Sequence, residues 1–270
     1  MHRSKIKVQE QIKKAYKETK RSSLVIYLIL RFLVILCMIL QLLRGDLNNA
    51  LLCLLSLLLL FAPLFIQNKF EISLPNDLEI AIYLFIFSAE ILGEINNFYG
   101  VIPQWDTMLH TINGFLATAV GYSLINLLNE NSNSINLSPF YLCLVAFCFS
   151  MTIGVLWEFF EYGSDKIFNL DMQKDTIVQK ISSVELNPDG KNKPILINNI
   201  GKTVIYDTKG KILETIDNGY LDIGINDTMK DLFVNFIGAI IFSFFAYFDL
   251  KHNNDNSFVN RFVPVKGKRT

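Results

Sequence analysis

The residues of this sequence most able to do chemistry are carboxylates, one histidine and asparagines that recur at helical spacing in apolar surroundings. Each set is spaced by three or four residues, so its side chains share one helix face about 5–6 Å apart. Ionisable groups are costly inside a lipid bilayer unless they are paired, hydrated or bound to a cation. The sets are Glu90 and Glu94; Asp106, His110 and Asn113; Glu158 and Glu161; and Asp227, Asp231 and Asn235.

This composition predicts either protonated carboxylates or a cation held among them. A histidine with several carboxylates suits Zn²⁺, Mn²⁺ or Fe²⁺, whereas carboxylates alone suit Mg²⁺ or Ca²⁺. We therefore expect a divalent metal ion as cofactor, with Glu161 or Glu94 as the general base on metal-bound water. The expected metal ligands are His110, Asp231, Glu158 and Asp106. The rest of the expected polar site is Glu90, Asn113, Asp227 and Asn235.

Simpler explanations remain open for the residues at helix ends. Asp106 and Asp227 have the positions of helix N-caps, where the helix dipole favours a carboxylate. Glu161 is compatible with a solvated helix end. Trp105 and Trp157 fit the aromatic belt of a membrane interface.

Apolar runs of membrane-spanning length carry these residues. Of the 270 residues, 51% are hydrophobic, and the mean hydropathy is +0.33. The runs are about 20 residues long, which is the length that crosses ~30 Å of hydrocarbon, and in lipid they must be helical to pair their backbone groups. The expected spans are 23–43, 49–67, 79–98, 106–127, 139–162 and 228–248.

The expected fold class is therefore an all-α polytopic membrane protein with about six transmembrane helices. A small β-rich extracytoplasmic insertion is expected between helices five and six, with hairpins that pair 181–186 with 194–198 and 202–206 with 211–216 around Gly-containing turns. The expected division is a basic cytoplasmic tail at 1–22, helices one to five at 23–162, the insertion at 163–226, helix six at 227–250 and a cytoplasmic tail at 251–270.

Charge distribution predicts the orientation. Lysine and arginine are concentrated in both terminal segments, and a weak apolar pattern within 6–16 suggests a surface helix or, equally, a solvated basic tail. The positive-inside rule then places both termini in the cytoplasm of a bacterial cytoplasmic membrane, because the lysine-rich loop 163–227 is too long for the rule to apply. Arg31 lies inside the first span, where we expect it to reach the interface or pair internally.

Partners follow from the same features. The lipid bilayer is the expected environment, a lipid or cell-envelope ligand is the expected partner, and a net charge of zero suggests no nucleic acid. The four cysteines lie in apolar runs without a CxxC pair, which indicates packing rather than disulfides or a thiolate metal site. Nothing in the sequence indicates an oligomeric state.

The polar segments resemble those of the YjdF-like family of predicted bacterial inner-membrane proteins and, more distantly, the VanZ-like superfamily. The shared features are an Asp-x-x-x-His helix start, an acidic helix end and an Asp-x-x-x-Asn-x-x-Gly helix. This chain departs from the VanZ-like pattern in its longer insertion and in Glu161, where glutamine is frequent. The resemblance implies an envelope location, linked in VanZ-like proteins to glycopeptide resistance, without naming a reaction. The matching residues are Asp106, His110, Glu158, Glu161, Asp231, Asn235 and Gly238.

The sequence is compatible with three functions. The first is a metal-dependent enzyme that acts on a lipid or cell-envelope substrate. The second is a non-enzymatic envelope binding or accessory protein, as in VanZ-like resistance. The third is a cation-coupled transporter, which is disfavoured because only Ser123 and Asn126 offer polar groups toward the cytoplasmic half.

Overall fold

The structure is a computed structural model that describes residues 2–70, 72–131, 136–252 and 258–266. Side chains are described from residue 22 onward within these ranges, apart from those of residues 70, 130, 131, 265 and 266. The α-helices are α1 (His2–Arg44), α2 (Leu47–Leu59), α3 (Ala62–Phe70), α4 (Asn76–Ile86), α5 (Phe98–Val101), α6 (Trp105–Asn131), α7 (Pro139–Phe168) and α8 (Ile225–His252). The strands are β1 (Ile72–Ser73), β2 (Ile177–Val178), β3 (Ile181–Ser183), β4 (Ile195–Ile197), β5 (Lys202–Tyr206), β6 (Ile212–Asp217), β7 (Tyr220–Leu221) and β8 (Val265–Lys266).

The long helices have the length and surface of membrane spans. Large apolar side chains remain exposed on them, such as Phe32 at 63% and Phe159 at 67%. An apolar surface of this extent is unfavourable in water and favourable in lipid. The predicted fold class, a mostly helical polytopic membrane protein, is therefore confirmed. Five stretches of the described residues qualify as spans: Ser22–Arg44, Leu47–Lys69, Trp105–Asn129, Pro139–Phe168 and Ile225–His252.

The third expected span differs from the other five in its helix type. Helix α4 has 11 residues, and a π-helix of 9 residues, Phe87–Ile95, follows it directly. The helical segment thus has about the length of a span, but it is not one continuous α-helix. Pro75 occupies the N-cap of α4, as expected from its fixed backbone angle, and Asn97 in the left-handed region follows the π-helix.

Helix α1 is longer than its membrane-spanning part. It runs for 43 residues, so the basic N-terminal segment and the first span form one helix rather than a separate surface helix or an extended tail. Its opening turns contain Lys, Arg, Glu and Gln, which are good helix formers and allow the helix to continue beyond the apolar run.

The chain divides into two compact units. Residues 1–154 with 233–270 form the first, called the core unit, and residues 155–232 form the second, called the insertion unit. Two apolar clusters fill much of the core unit. One joins α1, α2 and α4 through buried Val34, Cys53 and Tyr83. The other is built on α6, α7 and α8, and its fully buried members include Ala119, Ala146, Phe242 and Ala246.

The C-terminal segment is part of the core unit. Val259 and Val263 are buried, and the ring of Phe262 lies 5.3 Å from that of Phe115. Strand β8 pairs with β1, and Arg261 forms an ion pair with Asp77. Part of the expected tail 251–270 is therefore packed, while residues 253–257 and 267–270 lie outside the described residues.

The insertion unit contains the two expected hairpins. Strand β3 pairs with β4, and β5 pairs with β6, in both cases antiparallel. Gly190 and Gly210 have φ angles of +62° and +80° in the connecting turns, and Asp207 accepts hydrogen bonds there from the backbone N–H groups of Lys209 and Lys211. Strands β2 and β7 add a third pair at the base of the unit, which the sequence did not indicate because each has two residues.

Candidate functional site

The predicted site residues are divided between the two units. Glu90, Glu94, Asp106, His110, Asn113 and Asn235 belong to the core unit, and Glu158, Glu161, Asp227 and Asp231 belong to the insertion unit.

Asp106 and His110 form a pair on the first turns of α6. Nε2 of His110 lies 3.3 Å from Oδ1 of Asp106, and their side chains are 12% and 27% exposed. Asp106 is the residue after the first residue of α6, so it is not the N-cap, although the helix dipole still favours its carboxylate. A carboxylate beside an imidazole either shares a metal ion with it or orients its ring, and both arrangements occur in metal sites.

A pair of side-chain amides, one half-buried and one fully buried, lies one turn further along α6. Nδ2 of Asn113 donates to Oδ1 of Asn235 at 3.2 Å, and Nδ2 of Asn235 donates to the carbonyl of Ser150 at 3.4 Å. Asn235 is 1% exposed. Its polar atoms are satisfied in the apolar interior by groups of α6 and α7, which fixes the register of α8 against both helices.

Glycines allow these helices to approach closely. A Cβ on Gly114 would lie 2.1 Å from the carbonyl oxygen of Asn235, and one on Gly154 would lie 2.8 Å from its Nδ2. The carbonyl of Gly114 accepts from the Ser150 hydroxyl at 2.8 Å. The absence of a side chain at Gly114 and Gly154 therefore permits the close approach of α6, α7 and α8. Asn113, Gly114, Ser150, Gly154 and Asn235 are called the asparagine node below.

Glu158 and Glu161 are both buried on α7. Their residues are 4% and 8% exposed, so Glu161 is not a solvated helix end. The indole N–H of Trp157 donates to Oε1 of Glu161 at 2.7 Å. This bond orients the carboxylate that we expect to act as general base, and the apolar sequence around Trp157 gave no sign of it.

Asp227 and Asp231 flank a lysine on α8. Nζ of Lys230 lies 3.5 Å from Oδ1 of Asp227 and 3.6 Å from Oδ1 of Asp231, which is 1% exposed. Asp227 is inside the first turn of α8, so it is not the N-cap, and it accepts instead from the backbone N–H of Lys174 at 2.9 Å.

Gln173 is a site residue that sequence reasoning missed. Its side-chain amide donates to Oγ1 of Thr228 at 2.5 Å and to Oε2 of Glu158 at 3.5 Å. The carboxylate of Asp165 fixes the loop by accepting from the backbone N–H groups of Met172 and Gln173. A glutamine in an irregular loop carries no motif, so only the folded insertion unit brings it to Glu158.

Glu90 and Glu94 lie on the π-helix. Glu90 is half-buried, and Glu94 is exposed. A π-helix has a wider turn than an α-helix and occurs frequently at functional sites. Its i,i+4 spacing still keeps both carboxylates on one side, but the structure gives Glu94 no partner comparable to the Trp157 that orients Glu161.

The base of the insertion unit depends on an ionised aspartate. Partial burial acts to raise the pKa of Asp222, but hydrogen bonds from the backbone N–H groups of Thr176, Asn226 and Gly224 and from the Asn226 side chain outweigh it and lower the pKa. Nearby Asp175 differs, because desolvation and then the charges of Asp171 and Asp222 raise its pKa. Asp222 thus favours the folded unit when it is ionised.

Acidification should therefore weaken the hydrogen bonds that Asp222 accepts and destabilise the base of the insertion unit. Because the folded pKa of Asp222 is below its ordinary value of 3.8, its contribution is present above that value and is lost as the pH falls below it. Asp222→Asn should reduce the protection of the Thr176 amide by about 1 kcal/mol at neutral pH, measured by hydrogen exchange with correction for intrinsic rates. Asp189→Asn, on the exposed turn after β3, is the matched control. Equal protection in both variants would contradict this role.

These features define an integral membrane protein with polar residues in the first turns of α6, the last turns of α7 and the first turns of α8. A model of the family described as predicted membrane protein (DUF2238) matches residues 24–252. The chain belongs to this family, in agreement with the YjdF-like resemblance.

The chain is also similar to one bacterial protein over part of its length. The chain is 29% identical over 107 residues to an uncharacterized protein of Thermotoga maritima, which covers 40% of this chain and 54% of that protein. The matched region thus spans about half of the relative. No solved structure matches the chain.

Proposed function

We propose that this protein holds a divalent metal ion in the outer half of the bacterial cytoplasmic membrane and uses it to act on a lipid or cell-envelope precursor. The observation that carries the proposal is the asparagine node of the core unit, where Asn113, Gly154 and Asn235 bring three helices together. Three predicted ligands, His110, Glu158 and Asp231, each lie about one helical turn from the node along their own helix.

Helix directions in the core unit support this placement. Asn113 on α6 contacts Asn235 on α8, and two turns further along both helices Tyr122 contacts Phe242, so α6 and α8 run in the same direction. Asn235 bonds to the carbonyl of Ser150, whereas Ser243, later on α8, bonds to that of Cys143, earlier on α7, so α7 runs the opposite way.

One turn toward the start of α6 and α8 therefore corresponds to one turn toward the end of α7. From the asparagine node this step leads to His110 on α6, Asp231 on α8 and Glu158 on α7, because all three helices are continuous there. Asp106, already paired with His110, completes the donor set. One imidazole and several carboxylates fit Zn²⁺, Mn²⁺ or Fe²⁺.

The chemistry that we propose is metal-assisted hydrolysis. A bound ion of this kind activates water and polarises a carbonyl or phosphoryl oxygen. Glu161, held by Trp157, would take the proton from the attacking water. Gln173 would keep Glu158 oriented. Glu94, the other candidate base, is less suited because it is exposed.

We place the metal site in the outer half of the membrane because the proposed orientation has both termini in the cytoplasm. The basic residues before the first span favour that side. Asn113 lies about 12 Å along α6 from its first residue, so the polar residues around it remain in one leaflet. The β hairpins would then be extracytoplasmic, and the substrate would reach the site from the outer leaflet.

A binding or accessory protein is the second candidate. The hairpins leave apolar side chains exposed, including Leu196 at 51%, Tyr206 at 58% and Leu213 at 58%, as a surface that binds an envelope component would. In that case the carboxylates would bind a cationic ligand or stabilise the packing of the helices, and a metal ion would not be needed.

Chelation distinguishes the two candidates. Treating purified protein with a chelator and then restoring Zn²⁺, Mn²⁺ or Fe²⁺ should first lower and then recover thermal stability, by about 3 kcal/mol for an ion present at a hundred times its Kd. Calorimetry or tryptophan fluorescence in detergent measures the change. If the unfolding temperature changes neither on chelation nor on addition of metal, the accessory role would be favoured.

A further inference from the structure

Arg31 occupies an unusual position for a charged residue. It lies within the candidate span Ser22–Arg44 and is half-buried. Its guanidinium donates to the hydroxyl of Tyr27 and lies 4.2 Å from the ring centroid of Phe61. Among the residues whose side chains are described, no carboxylate lies within ion-pair distance of it.

The carboxylate of Glu79, which bonds to Tyr83, forms no ion pair with Arg31. Glu79 accepts hydrogen bonds from the Gln67 amide at 3.1 Å and the Tyr83 hydroxyl at 3.2 Å. A guanidinium offers five N–H donors, and the described residues supply one acceptor for Arg31, the Tyr27 hydroxyl. A cation in a membrane span is costly unless its remaining donors meet an anion or water.

The side chain points toward the membrane surface nearer the N-terminus. Tyr27 precedes Arg31 by one turn, so the charged group lies closer to the start of the span than its Cα does. Neighbouring Leu28 and Phe32 are 54% and 63% exposed, which places the guanidinium beside a lipid-facing surface.

We propose that Arg31, Tyr27 and Phe61 form a binding site for the phosphate group of a membrane lipid in the leaflet next to the N-terminus. The planar guanidinium binds two phosphate oxygens, and the ring of Phe61 holds it in place from one face. The sequence places Lys20 and Arg21 directly before this span, and basic residues there favour an anionic lipid. This site is independent of the proposed metal site.

The test is the response of stability to lipid headgroups. Wild type, Arg31→Gln and Arg31→Lys are placed in nanodiscs of phosphatidylcholine, with or without an equal amount of phosphatidylglycerol. Inorganic phosphate is added to the phosphatidylcholine sample as the free-anion arm. Arg44→Gln, at the other end of α1, is the matched control. The unfolding temperature and the number of phosphatidylglycerol molecules retained in native mass spectrometry are recorded.

The proposal predicts that phosphatidylglycerol stabilises wild type and Arg44→Gln, and that Arg31→Gln retains the lipid roughly tenfold more weakly. Arg31→Lys should bind with intermediate strength, since it keeps the charge without the fork geometry, and it serves as the comparison if Arg31→Gln does not fold. Equal lipid retention by wild type and Arg31→Lys, or by wild type and Arg31→Gln, would overturn the site. A response to inorganic phosphate alone would overturn the lipid assignment.

Discussion

Purified protein in which His110 is replaced by alanine and Asp231 by asparagine is expected to lose a bound divalent metal ion that the wild type retains. The first change removes a nitrogen donor, the second replaces a carboxylate by a neutral amide whose oxygen is a weaker ligand, and neither adds bulk. The loss should be large, because the site loses its imidazole and one negative charge. Metal content by mass spectrometry measures it.

The control for this variant carries the same two substitutions elsewhere. His252→Ala with Asp189→Asn changes a histidine at the end of α8 and an aspartate on a hairpin turn, both exposed. This variant should keep the metal. If both double variants bind as much metal as the wild type, the ion lies elsewhere, and His110 and Asp231 are not its ligands.

Replacing Gly238 by alanine is expected to destabilise the core unit strongly. A Cβ at this position would lie 2.0 Å from the carbonyl oxygen of Thr111, so α8 would have to move away from α6. Overpacking of this kind costs roughly 1–3 kcal/mol, and here the obstacle is backbone rather than a flexible side chain. The shift would also separate Asn113 from Asn235 and so weaken metal binding.

Gly163→Ala is the matched comparison for this prediction. Gly163 also lies in a long helix, but nothing lies within 4 Å of a Cβ placed there. Because alanine favours helix more than glycine by about 1 kcal/mol, this variant should be neutral or slightly stabilised. Thermal unfolding in detergent distinguishes the two, and similar stability of both variants would mean that α6 and α8 do not require this close approach.

The sequence alone predicted the features that depend on a local pattern of residues. Apolar length predicted the spans, and the turn sequences predicted the β3–β4 and β5–β6 hairpins. Each of these is decided within about 20 residues of chain by backbone pairing, solvation or turn geometry.

Features that depend on contacts between distant segments were not predictable in this way. The pairing of β1 with β8 joins short strands nearly two hundred residues apart, and the contact of Gln173 with Glu158 requires the folded loop. The π-helix has the same apolar composition as an α-helix, so composition cannot distinguish them. The N-cap interpretation of Asp106 and Asp227 was wrong because both helices begin slightly earlier than expected.

The metal content of the wild-type protein, purified in detergent without a chelator, decides whether the proposed site holds an ion. We expect close to one divalent transition-metal ion per chain, which remains bound through purification. Protein that contains no such ion, and takes up none when Zn²⁺, Mn²⁺ and Fe²⁺ are supplied, would contradict it.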